Sequence, residues 1–217
     1  LYNALVLLFT VLPWADAGII VVILTILVRL LLFPLSRKAV LTQVKMAEIG
    51  PELEAIKEKY KDKAEEQARR TLALYKEKGV NPFSGILVII IQIPIILALY
   101  QIFLHFPTVK AELLYSFVKA PEVVNTLFLG LLDISAKSAL IAFLAAVSTY
   151  FQFEVSMRGQ VKPKGTSFGD NLTRSMQSQM KYFFPLLVFF ISYKISGVIA
   201  LYWLTTNLFS IAQELFV

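Results

Sequence analysis

Nineteen residues, Ala17 to Leu35, read AGIIVVILTILVRLLLFPL, and one guanidinium interrupts them. A run of about 18 or more apolar residues reads as a transmembrane helix, because about 20 residues at 1.5 Å each cross the hydrocarbon core. Arg29 lies seven residues before Ser36, where the polar sequence begins, which puts it about 10 Å inside that end of the helix. A charge at the helix centre costs about 2.5 to 3.5 kcal/mol on insertion scales, so such residues face a bundle interior or a wet cavity. The plainer alternative is that the side chain bends back to the nearby interface. Pro34 adds a second irregularity: it has no N–H to give the carbonyl of Leu30, leaving an acceptor that wants water or a neighbour. Both features point to a polar hollow at the Ser36 side of the membrane.

The rest of the composition agrees with a bilayer. Of 217 residues, 57% are hydrophobic and 17% charged, and the mean hydropathy is +0.68, far too apolar for a soluble domain of this size. The chain has no cysteine, which excludes disulfides, thiolate metal sites and a cysteine nucleophile. Its single histidine, His105, reads as an interfacial polar cap at the end of a span. The net charge of +6 is distributed by loop, which is a membrane-topology pattern, and no nucleic-acid site is evident. No basic region precedes the first apolar stretch and no small-residue cleavage site follows it, so it does not read as a signal peptide.

Leu1 to Trp14 carries Leu5, Leu8, Phe9 and Leu12 at helical spacing but stops at Pro13, too short to cross; it reads as a helix in the outer interface with Trp14 as a belt residue. From Ser36 to Phe83 the chain holds eleven Lys/Arg and eight Asp/Glu. Val40, Val44 and Ala47, then Leu53, Ile56 and Tyr60 after a break at Gly50-Pro51, and finally Ala68, Leu72 and Tyr75 form thin apolar seams. This pattern predicts an antiparallel helical hairpin ending at Gly79, with Glu52, Lys57, Lys61, Lys63, Arg69 and Arg70 on a surface suited to recruiting partners.

Gly85 to Leu104 is a second apolar run, containing Gln92, Pro94 and Gln101. A third, about Ser138 to Gln152, has Ser148 and Gln152 one turn apart, and the piece Val123 to Leu132 between them is too short to cross. Tyr182 to Val217 is too long for one crossing and is interrupted at Lys194, Ser196 and Gly197, so two spans joined by a tight turn fit better. In the second of these, Trp203, Thr206, Ser210 and Gln213 make a polar-aromatic stripe, which suits either helix-helix hydrogen bonding or a functional surface.

The expected fold is therefore an all-α integral membrane protein. Its parts are an outer interfacial helix over 1–16, spans over 17–36, 84–105, 138–154, 181–195 and 198–217, a cytoplasmic helical hairpin over 37–83, an external loop over 106–137 and a cytoplasmic loop over 155–180. With five spans the hairpin and the loop from Glu154 to Lys181 share a side that carries sixteen Lys/Arg, against four on the other (Lys110, Lys119, Lys137 and Lys194). The positive-inside rule puts the hairpin and the C-terminus in the cytoplasm and the N-terminus outside, with Arg29 in the cytoplasmic half of the membrane.

The stretch VRLLLFPLSRKAVLTQVKMAEIGPELEAIKEKYKDK, followed by LYKEKGVNPFSGILVIIIQIPIILALY and by ALYWLTTNLFSIAQ, closely resembles the YidC membrane-protein insertases of the bacterial cytoplasmic (inner) membrane. The resemblance runs through essentially the whole chain in order and looks like that family's five-span core. It implies a hydrophilic groove open to cytoplasm and lipid but closed on the outer side, with an arginine at its floor that maps onto Arg29. Gln92 matches the family's Q-x-P, Gln152 its glutamine near the cytoplasmic end of the third span, and Trp203 its LYW motif. Ile86, Leu87 and Ser196 depart from the family's usual residues. The partners implied are newly made membrane proteins and the lipid bilayer, with the ribosome, the signal recognition system and the Sec translocon as further candidates; no cofactor or metal is implied.

The residues fit such a function. A wet half-channel shortens the distance over which a substrate's polar flank crosses hydrocarbon, and a positive charge inside it attracts acidic residues in the leading tail. An inside-negative potential then draws those residues outward, by about 2.3 kcal/mol per charge per 100 mV. A small-solute transporter or channel is the first rival, but Asp16, Asp133, Glu154 and Glu214 all lie near span ends and no inverted repeat is present. A non-translocating assembly scaffold is the second. An enzyme is disfavoured, because no metal-ligand cluster, nucleophile-base pair or phosphate loop is found.

Overall fold

The computed structural model of the protein describes residues 1–81, 84–104, 107–158 and 174–217, without the side chains of 84–89, 91, 92, 103 and 104. His105, the side chain of Gln92 and loop residues 159–173 lie outside the described residues. The described chain is mostly helical. Two helices are long and apolar enough to cross a membrane by length and composition, Ala17–Glu48 and Ala139–Ser156.

Helix α1, Tyr2–Val11, ends before Pro13 and leaves Trp14 72% exposed. Helix α2, Ala17–Glu48, starts at Asp16, whose side chain accepts from Ile19 N at 3.0 Å. A carboxylate there satisfies one of the N–H groups that no helical carbonyl reaches. The apolar run ends at Leu35 but the helix does not. It passes Pro34 and continues to Glu48, because Ser36 to Glu48 is rich in helix formers that are as helical in water as in lipid. Val40, Val44 and Ala47 therefore extend α2, and the hairpin itself is only α3, Gly50–Lys59, and α4, Ala64–Glu77.

Gly79, at φ +61°, closes α4 as expected: Val80 N donates to Tyr75 O at 2.9 Å and Gly79 N to Lys76 O at 3.3 Å, satisfying the last carbonyls through a left-handed glycine. The expected seam of α4 needs correction. Leu72 is 65% exposed and Ala68 is exposed, whereas Leu74 and Val80 are buried. The turn's own apolar contacts, which rotate the helix by about half a turn, win over the longer but sparser Ala68-Leu72 spacing.

Helix α5 is Ser84–Leu104 and α6 is Ala139–Ser156, whose N-cap Ser138 accepts from Ile141 N at 3.4 Å. A π-helical turn, Gln179–Phe183, runs into α7, Phe184–Ile195, and extended Ser196 alone separates α7 from α8, Gly197–Phe216. The segment between α5 and α6 departs from the all-α expectation in one place. Leu127–Phe128 (β1) pairs antiparallel with Leu132–Asp133 (β2), Phe128 opposite Leu132, in the stretch read from sequence only as an apolar piece.

α8 is the centre of the bundle. It packs on α6 and α2, with α7 against α6 and α8, and α5 and α1 against α2. The C-terminal halves of α2, α6 and α8 meet: Gln43 Nε2 donates to Ser156 O, Gln213 Nε2 to Ser36 Oγ at 2.9 Å, and Gln152 Nε2 to Glu214 Oε1 at 3.4 Å. These three helices thus run in the same direction, with the ribbon at their N-terminal end and the α3–α4 hairpin beyond the other.

Burial is lopsided along that axis. The buried residues of α2 all lie in its first nine positions, Ala17 to Thr25, and those of α6 between Ile141 and Thr149. In α8 they run from Gly197 to Asn207, with Gln213 as the one exception. One half of the bundle is thus a close-packed core, and the hairpin half is open.

Candidate functional site

Arg29 marks the border between the two halves. It extends the α2 face of Val21 and Thr25, which are 1% and 3% exposed, by one further turn, and it is itself half-buried. Thr25, one turn before Arg29 on that face, donates its hydroxyl to Val21 O at 2.7 Å. Tyr202 of α8 lies close enough across the interface to interact with Arg29 electrostatically. Among the described residues no carboxylate pairs with the guanidinium. A cation placed there without a counter-ion needs water.

The expected stripe on α8 splits between two neighbours. At 100° per residue, Tyr202, Thr206 and Gln213 fall within about 40° of one another, and Gln213 fixes that face toward α2 through Ser36. Thr206 Oγ1 is buried there with no protein partner among the described residues. Asn207 and Glu214 share a second face, toward α6. Asn207 Nδ2 lies 2.7 Å from Thr149 Oγ1, 3.0 Å from Ser148 Oγ and 3.4 Å from Ala145 O, in a buried cluster.

Trp203 and Ser210 lie between those faces and are half-exposed. Because α2 and α6 scarcely touch, the two residues look into the gap between them. Trp203 and Ser210 thus sit on the α8 surface between its α2 and α6 contacts. The packed residues of α2 end above Arg29, at Thr25, and Gln43 with Ser156 links α2 to α6 near their C-terminal ends.

The structure therefore places Arg29, Thr206 and Gln213 on the α2–α8 interface and Trp203 and Ser210 beside it. It assigns Ser148 and Gln152 to the α6–α8 contact instead, where both are held by α8 side chains. Gln92 lies on α5, which flanks α2. Asn207 escaped the sequence reading although it sits in the quoted ALYWLTTNLFS; a buried amide one residue off the stripe was the available signal. Tyr202 was hidden in the same motif by the attention given to Trp203.

The hairpin residues divide as well. Glu52 pairs with Lys78 across α3 and α4 at 2.7 Å, which raises the Lys78 pKa, chiefly through that hydrogen bond. Arg70 binds Glu66 at 2.8 Å, which raises its own, and lies 5.9 Å from the Tyr60 ring; Arg69 meets Glu66 at 3.3 Å. These contacts serve the hairpin's own packing, while Lys61 and Lys63 at its tip are exposed. Among the described residues no group of His, Cys, Asp and Glu is placed to hold a metal.

A sequence model of the family described as 60Kd inner membrane protein matches residues 9–217. The chain belongs to that family. The membrane protein insertase YidC of Fusobacterium nucleatum is 32% identical over 200 residues, covering 92% of this chain and 85% of the relative. That of Clostridium tetani is 27% identical over 203 residues, covering 94% and 82%. Against the longer insertase of Wolinella succinogenes the identity is 29% over 215 residues, 97% of this chain but only 36% of the relative. The family match thus takes in the end of α1 and all of α2 to α8.

Proposed function

We propose that the protein inserts newly made membrane proteins into the bacterial inner membrane through the cleft between α2 and α6. One observation carries this reading: packing ends at Thr25, and the next turn of the same face presents Arg29 with no counter-charge among the described residues. In a bilayer that geometry is a half-channel, wet from the hairpin side and dry above. The loop charges orient it, with the hairpin and C-terminus in the cytoplasm, the N-terminus and the ribbon outside, and α2, α5, α6, α7 and α8 as five spans. The substrate's polar tail enters the wet part, Arg29 holds its acidic residues, and the membrane potential draws them outward. The apolar helix leaves sideways into lipid between α2 and α6, which scarcely touch among the described residues, so no motor is needed. The hairpin, with Lys61 and Lys63 at its tip, receives nascent chains, the ribosome or targeting factors.

The test is reconstitution of the chain alone in proteoliposomes with a small single-span substrate. Protection of the substrate's tail from external protease, at least about tenfold above protein-free vesicles, is the expected result. Binding without protection identifies a scaffold, and flux of small solutes without substrate identifies a channel.

A further inference from the structure

A half-channel needs a stopper, and the external ribbon is built onto the starts of α2 and α8. At α2, Ala17 N donates to Asn125 O at 2.8 Å, and the Asp16 carboxylate is shared: Oδ1 accepts from Ile19 N at 3.0 Å and Oδ2 from Leu129 N at 3.0 Å. Leu129 is the ribbon's turn residue, left-handed at φ +52°, a conformation that a leucine rarely adopts. At α8, Gly197 N donates to Ala136 O and Val198 N to Ile134 O, both at 2.9 Å. One short segment thus supplies acceptors for the free N–H groups at two helix starts, where water would otherwise bind.

The fit is close at both sites. A Cβ on Gly18 would fall 2.2 Å from Phe128 Cδ2, and one on Gly197 would fall 3.0 Å from Ile134 Cα. Ile134, fully buried, joins the same core cluster as Ala17, Ile20 and Val198, with Phe128 and Leu132 packed on it. Beyond the ribbon the strand exit is pinned separately: Ser135 Oγ donates to Asp133 at 2.7 Å and holds that carboxyl below its usual range.

From these contacts we infer that the ribbon is the outer stopper of the groove and that Asp16 is the positioning residue that latches it, fixing the α2–α8 spacing above Arg29. The inference rests on the groove reading given above. Its mechanism is specific to a carboxylate. Two N–H donors from two different elements need two acceptor oxygens at fixed separation, and a helix cap alone needs one.

Asp16→Ser separates the two roles, because serine caps a helix as well as aspartate but has no second oxygen to reach Leu129 N. Proton flux into pyranine-loaded proteoliposomes, under a potential and without substrate, should rise at least about tenfold in Asp16→Ser. Substrate insertion and helical content should stay within about threefold and a few per cent of wild type. Asp133→Ser removes a contact within the segment but leaves its latch to α2 intact, and should remain as tight as wild type. An Asp16→Ser protein as tight as wild type overturns the proposal, and so does an Asp133→Ser protein that leaks equally. A position 29 that no aqueous reagent reaches would overturn the groove instead, and that is read independently of flux.

Discussion

Replacing Arg29 by alanine is expected to lower insertion of a single-span substrate with an acidic translocated tail about tenfold or more, while Arg29→Lys stays within about threefold. Two unit charges 4 Å apart attract by about 1 kcal/mol in water and about 4 kcal/mol at an effective dielectric constant of 20, and a wet cleft lies between those limits. One acidic residue held there is thus worth roughly the 1.4 kcal/mol that makes a tenfold difference. Lysine keeps the charge and loses only the fork geometry, which a mobile tail does not exploit. A substrate with a neutral tail is the control. Equal losses for both tails would mean that the guanidinium acts by keeping the cleft hydrated and not by attracting acid.

The second large effect is at the opposite end of α2. Gly18→Ala is expected to destabilise the protein by about 3 kcal/mol, the upper end of the overpacking range, because the new methyl meets Phe128 at its ring and within 2.9 Å of its Cβ. Swinging the ring aside does not relieve a clash with Cβ, so the whole ribbon must lift. Phe128→Ala clears the space, and the double substitution should be less damaging than the sum of the two single ones, a coupling of about 1 kcal/mol or more in a thermal or denaturant series in detergent. Simple additivity would show that Gly18 and Phe128 do not share the seat.

Sequence alone carried much of this picture, because long apolar runs and loop charges are large, local signals. Arg29 announced itself by energy, and the stripe from Trp203 to Gln213 by period. What stayed hidden depends on pairs of residues far apart in the chain. Nothing local tells that Gln213 turns toward Ser36 while Asn207, almost a full stripe-width away, turns to Ser148 and Thr149. The end of α2 was masked for a different reason: polarity changes at Ser36, but helix propensity does not. The ribbon was invisible because two residues per strand leave no alternation to detect, and its pairing is fixed by the turn at Leu129 and Gly130, held from outside by Asp16. In the hairpin, Leu72 read as core by spacing but is exposed, since the glycine-closed turn sets the rotation of α4.

The central claim is a cleft wet from one side down to a floor at position 29. The chain has no cysteine, so single substitutions report without background. Arg29→Cys and, two turns above it in the core, Val21→Cys are to be treated with a membrane-impermeant thiol reagent, applied from each side of oriented vesicles in turn. Labelling of Arg29→Cys from the hairpin side only, with Val21→Cys unlabelled from both, is the predicted result. Arg29→Cys that reacts from neither side, or equally from both, would contradict the one-sided groove.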